Sequence, residues 1–398
     1  MPRLALLTHS LNGGVWTVTQ FIAQVLRQCG EYEYDIFFLA TSMRDSTSVR
    51  LLAPTTWRRG IQIRNAQVEG IPYRHVGAFL VEFEFQRYRP RRQLTDLLNQ
   101  YDLVQVVSGS PALAGVTRGS TKPVALQVAT LSQVERVSRL RQTRGLKGIW
   151  LRWMTKFSAI ADIQGLKQAD VVFVENTWML EYVSSQCGAG KVQLAPPGVD
   201  AHFFAPAPHY ATDGYWLWVG RLNEPRKNIP LLLNAYARLV HTCPSTPNLV
   251  LVGQGEWQSQ YSALLNTLGI ADSVQVECNV SQERLAQLYR GASAFVLSSD
   301  EEGLGMVILE AMASGLPIIS TDCGGPATAV ISGENGLLTP VGNAQALAEA
   351  MQTLWEQPEL RRRMSQAARQ RVEERFSIEK AGQVYLDAYA RLLTHARR

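Results

Sequence analysis

Short runs of apolar residues alternate with longer segments of helical periodicity along almost the whole chain. The runs that read as strands share β-branched and other apolar residues, and they cover residues 4–8, 35–40, 103–107, 124–128, 171–175, 192–195, 216–219, 249–252, 274–277, 294–298 and 318–321. This alternation predicts βαβ units and mainly parallel sheets. The predicted fold class is therefore α/β.

The alternation is interrupted once, by a stretch rich in Pro and Gly at residues 196–208, and then restarts. A chain of 398 residues exceeds the size at which a single hydrophobic core usually stops growing. The sequence therefore predicts two doubly wound, Rossmann-like domains, residues 1–196 and 197–376, facing each other across a cleft. Ligands of such sheets bind at the carboxyl ends of the strands.

Charge and cysteine usage narrow the class of protein. Residues 1–200 carry 23 Lys and Arg against 15 Asp and Glu, whereas residues 201–398 carry 16 against 19, so we expect the first half to meet an anionic partner. The five cysteines are scattered without metal-ligand spacing, which is typical of reduced thiols in a cytosolic protein and predicts no metal site.

Two further features of the sequence concern the cellular location of the protein. No run approaches the roughly 18 apolar residues of a membrane span. The first strand begins so close to Met1 that a cleavable signal peptide is not expected. We therefore expect a cytoplasmic protein, either soluble or peripheral on the inner face of the membrane.

The strongest candidate site follows the run at residues 294–298, where Glu302-Gly303-Leu304-Gly305 opens directly into a helix that contains Glu310. A glycine turn feeding a helix N-terminus presents backbone N–H groups to an anion. Carboxylates beside an anion site are suited to accept hydrogen bonds from hydroxyls. A sugar nucleotide supplies phosphate and hydroxyl groups together.

Two cations and a glycine pair extend this candidate site. Arg221 and Lys227 follow the run at residues 216–219, where they can hold a diphosphate and neutralise it as it leaves; Arg226 is an alternative to Lys227. Gly13 and Gly14 precede the first long helix and either form a plain turn or let the backbone approach a ligand.

Residues 134–167 combine many cations with aromatic residues at helical spacing; the candidates for a membrane or acceptor contact are Arg139, Arg144, Lys147, Trp150 and Trp153. A basic amphipathic helix with Trp at its boundary binds anionic lipid headgroups. The alternative is a solvated charged face whose aromatic side chains pack inward. Nucleic acid is disfavoured as a partner because no binding fold or stacking platform is evident.

These motifs resemble the retaining glycosyltransferases of the GT-B fold, in the group called family 4. The resemblance covers nearly the whole chain and is most specific in its second half. Its motifs are Gly13-Gly14-Val15, Pro196-Pro197-Gly198-Val199-Asp200, Gly220-Arg221-Leu222, Val252-Gly253-Gln254-Gly255, Glu302-Gly303-Leu304-Gly305, residues 309–317 and Gly324-Gly325-Pro326. The Glu224-Pro225-Arg226-Lys227 segment looks most like the mannosyltransferases that act on phosphatidylinositol.

The resemblance implies a role for each matching residue. Glu302 would bond the hydroxyls of the donor sugar, Glu310 would hold the ribose, and Arg221 with Lys227 would grip the diphosphate. The remaining donor-binding positions are backbone positions, namely Gly13, Gly14, Val280 near the base, Gly303, Leu304, Gly305, Met306 and Val307. The resemblance also implies that the final helix, about residue 377 onward, completes the first domain.

The implied function is metal-independent transfer of a hexosyl group, with retained configuration, from a UDP- or GDP-linked sugar to a hydroxyl of a lipid or glycan acceptor. No cofactor is implied. One departure stands out, because Ala129 occupies a position where the family usually has His. Two alternatives stay open at this point: a catalytically impaired partner subunit that binds nucleotide sugar, and a sugar-nucleotide epimerase on the same fold.

Overall fold

The structure, a computed structural model, describes residues 1–11, 13–136, 140, 143, 145–208 and 213–396. The chain divides into two compact units. Unit 1 comprises Met1–Pro197 with Gly382–Arg398, and unit 2 comprises Gly198–Ala381. Each unit is a mixed α/β structure built around a largely parallel sheet, so the predicted fold class of two Rossmann-like domains is confirmed. No helix in the described ranges is long and apolar enough to cross a membrane.

Unit 1 contains an eight-stranded sheet. Its strands are β1 (Arg3–Thr8), β2 (Glu33–Leu39), β3 (Ile63–Val68), β4 (Ile71–Val76), β5 (Leu103–Ser108), β6 (Val124–Val128), β7 (Val171–Val174) and β8 (Val192–Leu194). They are ordered β3-β4-β2-β1-β5-β6-β7-β8. Pairing is parallel except for the antiparallel hairpin of β3 and β4.

The helices of unit 1 connect these strands. They are α1 (Gly13–Cys29), α2 (Pro54–Arg59), α3 (Glu84–Arg87), α4 (Arg92–Leu98), α5 (Ser132–Glu135), α6 (Gly145–Gln168) and α7 (Thr177–Cys187), with a 3₁₀ helix at Pro111–Thr117. Strands β5, β6 and β7 are buried along their whole length. Strands covered on both faces read as continuous apolar runs, which is why these segments were recognisable from sequence.

Unit 2 contains a six-stranded, fully parallel sheet. Its strands are β9 (Tyr215–Arg221), β10 (Leu249–Gln254), β11 (Val274–Cys278), β12 (Ala292–Leu297), β13 (Ile318–Thr321) and β14 (Gly336–Thr339), ordered β11-β10-β9-β12-β13-β14. The helices are α8 (Ile229–Thr242), α9 (Ser259–Leu268), α10 (Gln282–Gly291), α11 (Met306–Ala313), α12 (Ala344–Glu356), α13 (Pro358–Arg371) and α14 (Ile378–Ala396).

Alternate residues of the central strands of unit 2 enter two separate cores. Trp216 and Trp218 of β9 pack in one core with Tyr236 of α8, whereas Leu217 and Val219 pack in the other. Successive side chains of a strand point to opposite faces of its sheet. Both faces of this sheet are therefore covered, as expected for a doubly wound domain.

All eleven strands predicted from apolar runs are present, and three further strands were missed. The missed hairpin of β3 and β4 is only partly buried, so its residues alternate instead of forming an apolar run. Its turn places Glu69 and Gly70 at φ 51° and 78°, the left-handed pair that a two-residue hairpin turn requires. The third missed strand, β14, is a four-residue strand at the edge of the sheet.

Helix α14 starts in unit 2, and from Gly382 onward it belongs to unit 1. Tyr385 is fully buried, and its ring lies 4.5 Å from that of Phe173. Its hydroxyl lies 2.8 Å from both Gln127 Oε1 and the Ala195 carbonyl oxygen. A further buried tyrosine, Tyr389, donates to Gln105 Oε1 at 2.7 Å. The end of the chain is thus part of the core of unit 1.

We predict that Tyr385→Phe destabilises the protein by about 1–3 kcal/mol, because the acceptors on Gln127 and Ala195 lose a buried donor. The measurement is the melting temperature by calorimetry, which should fall by several degrees. Tyr182→Phe is the control, since Tyr182 is 40% exposed, and it should leave the melting temperature unchanged. Equal melting temperatures for both variants would contradict a structural role for this hydroxyl.

Candidate functional site

The sheet of unit 2 reverses its winding between β9 and β12, which are parallel neighbours although two strands separate them in sequence. In doubly wound sheets a crevice opens outside the carboxyl ends of the strands at this reversal, and ligands bind there. Arg221 is the last residue of β9, Lys227 lies in the loop that follows it, and Glu302 lies in the loop after β12. The three residues predicted to be catalytic therefore lie at the carboxyl ends of the two strands at the switch point.

Several hydrogen bonds tie these two loops together. Ser298 Oγ donates to the Lys227 carbonyl at 2.9 Å, and the Asp300 amide donates to the Arg226 carbonyl at 2.8 Å. Asn228 has φ 46° and caps helix α8 by accepting from the Leu231 amide. Its side-chain amide also donates to Asp300 Oδ1 at 2.8 Å. The loop positions are thus fixed by the backbone and do not rest on the charged side chains alone.

Lys227 and Glu302 form a close ion pair. Lys227 Nζ lies 2.5 Å from Glu302 Oε1, and only 12% of each side chain is exposed. Ser299 Oγ donates to the same oxygen at 2.6 Å. Within the part of the chain that the structure describes, these bonds fall on Oε1, so Oε2 of Glu302 is available to a hydroxyl donor. The lysine retains two further N–H donors, because an ammonium carries three.

The protonation of Glu302 follows from two opposing effects. Burial raises the pKa of this carboxyl, but the charge of Lys227 and the hydrogen bonds from Lys227 and Ser299 outweigh burial, and the net pKa lies below its ordinary value of 4.5. Glu302 is therefore a carboxylate at neutral pH. A carboxylate accepts hydrogen bonds and cannot donate them, which suits it to the hydroxyls of a polyol.

The turn at Gly303–Gly305 begins helix α11. Gly305 has φ 84° and is the N-cap, a left-handed conformation that glycine adopts without steric cost. Leu304 is buried in the core, so only its backbone is placed to meet a ligand. The amides of Met306 and Val307 lie in the first turn, where a helix supplies no carbonyl partner. The structure therefore combines a positive helix end with a nearby carboxylate.

A second glycine loop packs closely on this turn. Residues Glu302 and Gly324 pair as an isolated parallel bridge. A Cβ on Gly325 would lie 2.5 Å from the Gly303 carbonyl oxygen and 2.6 Å from that of Glu302. Any larger residue at Gly325 would push the turn away from its position. The Gly324-Gly325-Pro326 segment, recognised in the sequence, thus supports the Glu302 loop.

Glu310, predicted to hold ribose hydroxyls, has a different environment. Tyr289 Oη donates to Glu310 Oε2 at 2.9 Å. Burial raises the pKa of Glu310 to about 7, although the Tyr289 hydrogen bond and the charge of Lys227 lower it in part. Two carboxyls of one site therefore differ in protonation: Glu302 is ionised at neutral pH, and Glu310 exchanges its proton near pH 7.

The two arginines of this site are engaged with acids. Arg221 Nη2 lies 3.0 Å from Glu224 Oε2, and the Arg221 side chain is 48% exposed. Arg226 lies 3.2 Å from Glu224 and 3.6 Å from Glu301. A diphosphate that approaches Arg221 must compete with Glu224. Of Lys227 and Arg226, the two cations considered for the diphosphate, Lys227 makes the contact with Glu302.

The other predicted donor-binding residues lie elsewhere in the fold. Val280 follows β11 and packs partly buried against one core of unit 2. Gly13 and Gly14 are the first residues of α1 in unit 1, with open space where a Cβ would stand. Ala129 follows β6 in the same unit. A joint role of these residues with Glu302 remains a prediction.

Sequence reasoning missed several polar residues of these regions. Ser299 and Tyr289 were overlooked because neither is part of a motif; only the position of Ser299 between the strand and Glu302 could have signalled it. His9, given no role from sequence, follows β1 in unit 1. Among the described residues its buried Nδ1 has no hydrogen-bond partner, and burial lowers the pKa of His9 to about 4 despite a hydrogen bond to the Val107 backbone.

The basic helix candidates fall on a different part of unit 1. Lys147, Trp150 and Trp153 lie on α6, whereas Arg139 and Arg144 are outside the described residues. Over the described ranges no three His, Cys, Asp or Glu side chains are grouped as ligands for a metal ion. Metal independence remains a prediction.

The raised pKa of Glu310 predicts how stability changes with pH. A carboxyl with a pKa of about 7 in the folded state and 4.5 in the unfolded state does not lower the free energy of unfolding below pH 4.5. As pH rises to 7, the group lowers the free energy of unfolding by up to about 3 kcal/mol. We therefore predict that the melting temperature of Glu310→Gln, measured relative to that of the parent protein, increases as the pH is raised from 5 to 8.

The control for this experiment is Glu379→Gln, a change at an exposed position of α14. Its melting temperature should track that of the parent protein at every pH. A constant gap between Glu310→Gln and the parent protein across this range would show that Glu310 is ionised in the folded state at pH 5.

Comparisons with known proteins give a family match for part of unit 2 and a fold match for nearly the whole chain. Residues 201–371 match the family described as "Glycosyl transferases group 1". A D-inositol 3-phosphate glycosyltransferase of Frankia alni is 35% identical over 195 residues, which are 45% of this chain and 48% of that protein. The enzyme of the same name from Nocardiopsis dassonvillei is 27% identical over 90% of this chain and 85% of its own length. Matches to several further proteins of this name span 40–60% of their length.

Solved structures match over nearly the whole chain. Sucrose-phosphate synthase from Thermosynechococcus elongatus gives a TM-score of 0.76 at 21% identity, covering 99% of this chain and 100% of the other. Anabaena HepE, solved in complex with UDP and glucose, gives 0.70 at 17% identity, covering 98% and 100%. Residues 201–371 therefore carry the sequence pattern of the group 1 glycosyltransferases, and the chain as a whole has the GT-B fold of these solved structures.

Proposed function

We propose that this protein is a glycosyltransferase that moves a hexosyl group from a nucleoside-diphosphate sugar to a hydroxyl acceptor, with retained anomeric configuration and without a metal ion. The observation that carries the proposal is the Lys227–Glu302 pair at the switch point of unit 2, beside the first turn of α11. The names of the relatives support this reaction class, and HepE and TarM structures that contain UDP support a UDP-linked donor.

The donor would lie along the residues at the carboxyl ends of β9 and β12. Its diphosphate would take hydrogen bonds from Arg221, Lys227 and the first amides of α11, because helix N-termini and cations both stabilise phosphate. Oε2 of Glu302 would accept from sugar hydroxyls, and Glu310 from the ribose. Val280 would face the base.

The transfer would proceed by attack on the face of the sugar that the leaving group occupies. The bond between the anomeric carbon and the diphosphate oxygen breaks while a bond to the acceptor oxygen forms. The acceptor proton passes to the departing phosphate oxygen, and Lys227 and Arg221 stabilise the negative charge that develops there. Glu302 does not act as nucleophile in this scheme, because its Oε1 is held by Lys227 and Ser299 and its Oε2 accepts from the sugar hydroxyls.

The acceptor is proposed at the level of a hydroxyl group on a lipid or a glycan. Because relatives are named D-inositol 3-phosphate glycosyltransferases, inositol phosphate is one acceptor to test. Purified protein would be incubated with UDP- and GDP-hexoses together with inositol phosphate or a lipid extract, with and without EDTA. Proton NMR of the product would report the anomeric configuration. Inverted configuration, or loss of activity in EDTA, would contradict the mechanism.

The same experiment separates the two alternatives. Tight donor binding without product, in every acceptor mixture, would identify a nucleotide-sugar-binding subunit. This alternative is motivated by Ala129 in the loop after β6. Conversion of the donor into its isomer would identify an epimerase. Neither outcome is compatible with the transfer reaction proposed above.

We predict that Glu302→Gln lowers the turnover number about 10²–10³-fold, the usual cost of removing one preorganised contact to the transition state. The measurement is initial-rate kinetics with saturating donor. Glu301→Gln removes the same charge one residue away and should retain at least a tenth of the activity. If both variants turn over at the parental rate, Glu302 has no role in the reaction.

We predict that Arg221→Met raises the KM for the donor about 10–100-fold, because a charge-assisted hydrogen bond to phosphate contributes about 1.5–3 kcal/mol. The melting temperature should change little, since the arginine is 48% exposed and its ion pair with Glu224 is open to solvent. Arg238→Met, at an exposed position of α8, is the matched control. An unchanged donor KM for Arg221→Met would remove this residue from the proposed diphosphate site.

A further inference from the structure

Helix α6 has its polar and apolar faces reversed relative to an ordinary surface helix. Thr155, Ser158 and Asp162, spaced three and four residues apart, are buried. The opposite face carries the large apolar side chains, which are exposed: Ile149 at 51%, Trp150 at 62%, Trp153 at 59%, Phe157 at 51% and Ile160 at 55%. A helix normally turns its apolar stripe to the core.

Hydrogen bonds hold the polar face inward. Asp162 accepts from the backbone amides of Ala112 and Ser132, at 3.0 and 2.9 Å, and from Ser132 Oγ at 3.2 Å. Ser158 Oγ donates to Glu84 at 3.1 Å and accepts from Arg136 at 3.2 Å. Rolling the helix to bury its aromatic residues would break all these bonds and expose their partners.

A glycine on the same face confirms this orientation. A Cβ on Gly165 would lie 2.0 Å from the Pro111 carbonyl oxygen, so α6 approaches the 3₁₀ helix Pro111–Thr117 more closely than any larger residue allows. This contact and the polar network fix which side of α6 faces the core. The alternative in which the aromatic residues of this segment pack inward is therefore wrong for Trp150 and Trp153.

The exposed aromatic side chains form a continuous apolar stripe. Trp153, Phe157 and Ile160 follow one another at spacings of four and three residues, so they stand on adjacent turns of one face. Ile149 and Trp153 also line a groove of about 480 Å³ together with Leu140. Contiguous apolar surface of this kind, rimmed by polar residues, marks a site of interaction with a protein or a membrane.

The charges around the stripe are positive. Lys147, Arg152 and Lys156 are exposed on α6, and Lys156 Nζ stands 5.9 Å from the Trp153 ring. The only acidic residue within Gly145–Gln168 is Asp162, which belongs to the buried face. The exposed surface of α6 thus combines Trp with cations and presents no carboxylate of its own.

From this reversed helix we infer that α6 docks on an anionic bilayer surface, with its apolar stripe at the level of the headgroups and its cations on lipid phosphates. Trp residues favour the membrane interface, and Lys and Arg reach outward from an apolar face to anionic headgroups. A second copy of the chain is a poorer occupant, because a two-fold contact of this face would oppose its cations to one another.

The test is flotation of the full-length protein with vesicles of phosphatidylcholine alone and with phosphatidylglycerol added. We expect binding only to the anionic vesicles, and weaker binding as salt rises. Trp150→Ser with Trp153→Ser, and separately Arg152→Glu with Lys156→Glu, should each weaken binding about tenfold or more. Trp150→Phe with Trp153→Phe should restore part of the binding lost in the serine variant.

The matched control is Arg363→Glu with Lys380→Glu, which makes the same change in net charge at exposed positions of α13 and α14 and should bind like the parent protein. Glu302→Gln should also bind like the parent, which separates this inference from the proposed reaction. Equal binding to neutral and anionic vesicles, no binding to either, or dimers that the tryptophan variant abolishes would each overturn the inference.

Discussion

The salt bridge between Lys227 and Glu302 joins loops 75 residues apart, which meet because strands β9 and β12 are neighbours. Leaving either charge here without its partner is costly, since only 12% of each side chain is exposed. The pair also lowers the pKa of Glu302, together with the hydrogen bond from Ser299. The other features proposed for donor binding are arranged around it: the first turn of α11, the Gly325 contact and the Arg221–Glu224 pair.

Glu302 and Glu310 have different pKa values, although the sequence alone does not distinguish these two acids. Glu302 receives a cation and a hydroxyl on one oxygen, so its charged form is stabilised. Glu310 accepts from the Tyr289 hydroxyl at 2.9 Å, and burial dominates its pKa. The proposed donor site thus contains one permanent carboxylate, and one carboxyl whose charge can respond when a ligand displaces solvent or brings hydroxyl donors.

The sequence predicted both sheets because their central strands are continuous apolar runs, and it predicted Glu302, Arg221 and Lys227 because they follow such strands. It did not predict that Lys227 contacts Glu302, since that depends on the strand order β11-β10-β9-β12-β13-β14. The half-buried hairpin of β3 and β4 has no apolar run to reveal it. The sequence also did not predict which face of α6 is buried, because helical spacing defines two faces without showing which one packs on the core.

The position of α14 has a consequence for how the chain acquires its structure during synthesis. Phe21 and Phe173, near the start and middle of the chain, pack against Tyr385, which leaves the ribosome only after every residue of unit 2. Until then the nascent first sheet lacks its last covering helix and leaves buried glutamine side chains without their tyrosine partners. Completion of unit 1 must therefore follow translation of unit 2, so a chain terminated near residue 381 would contain every residue of unit 2 but would lack part of the core of unit 1.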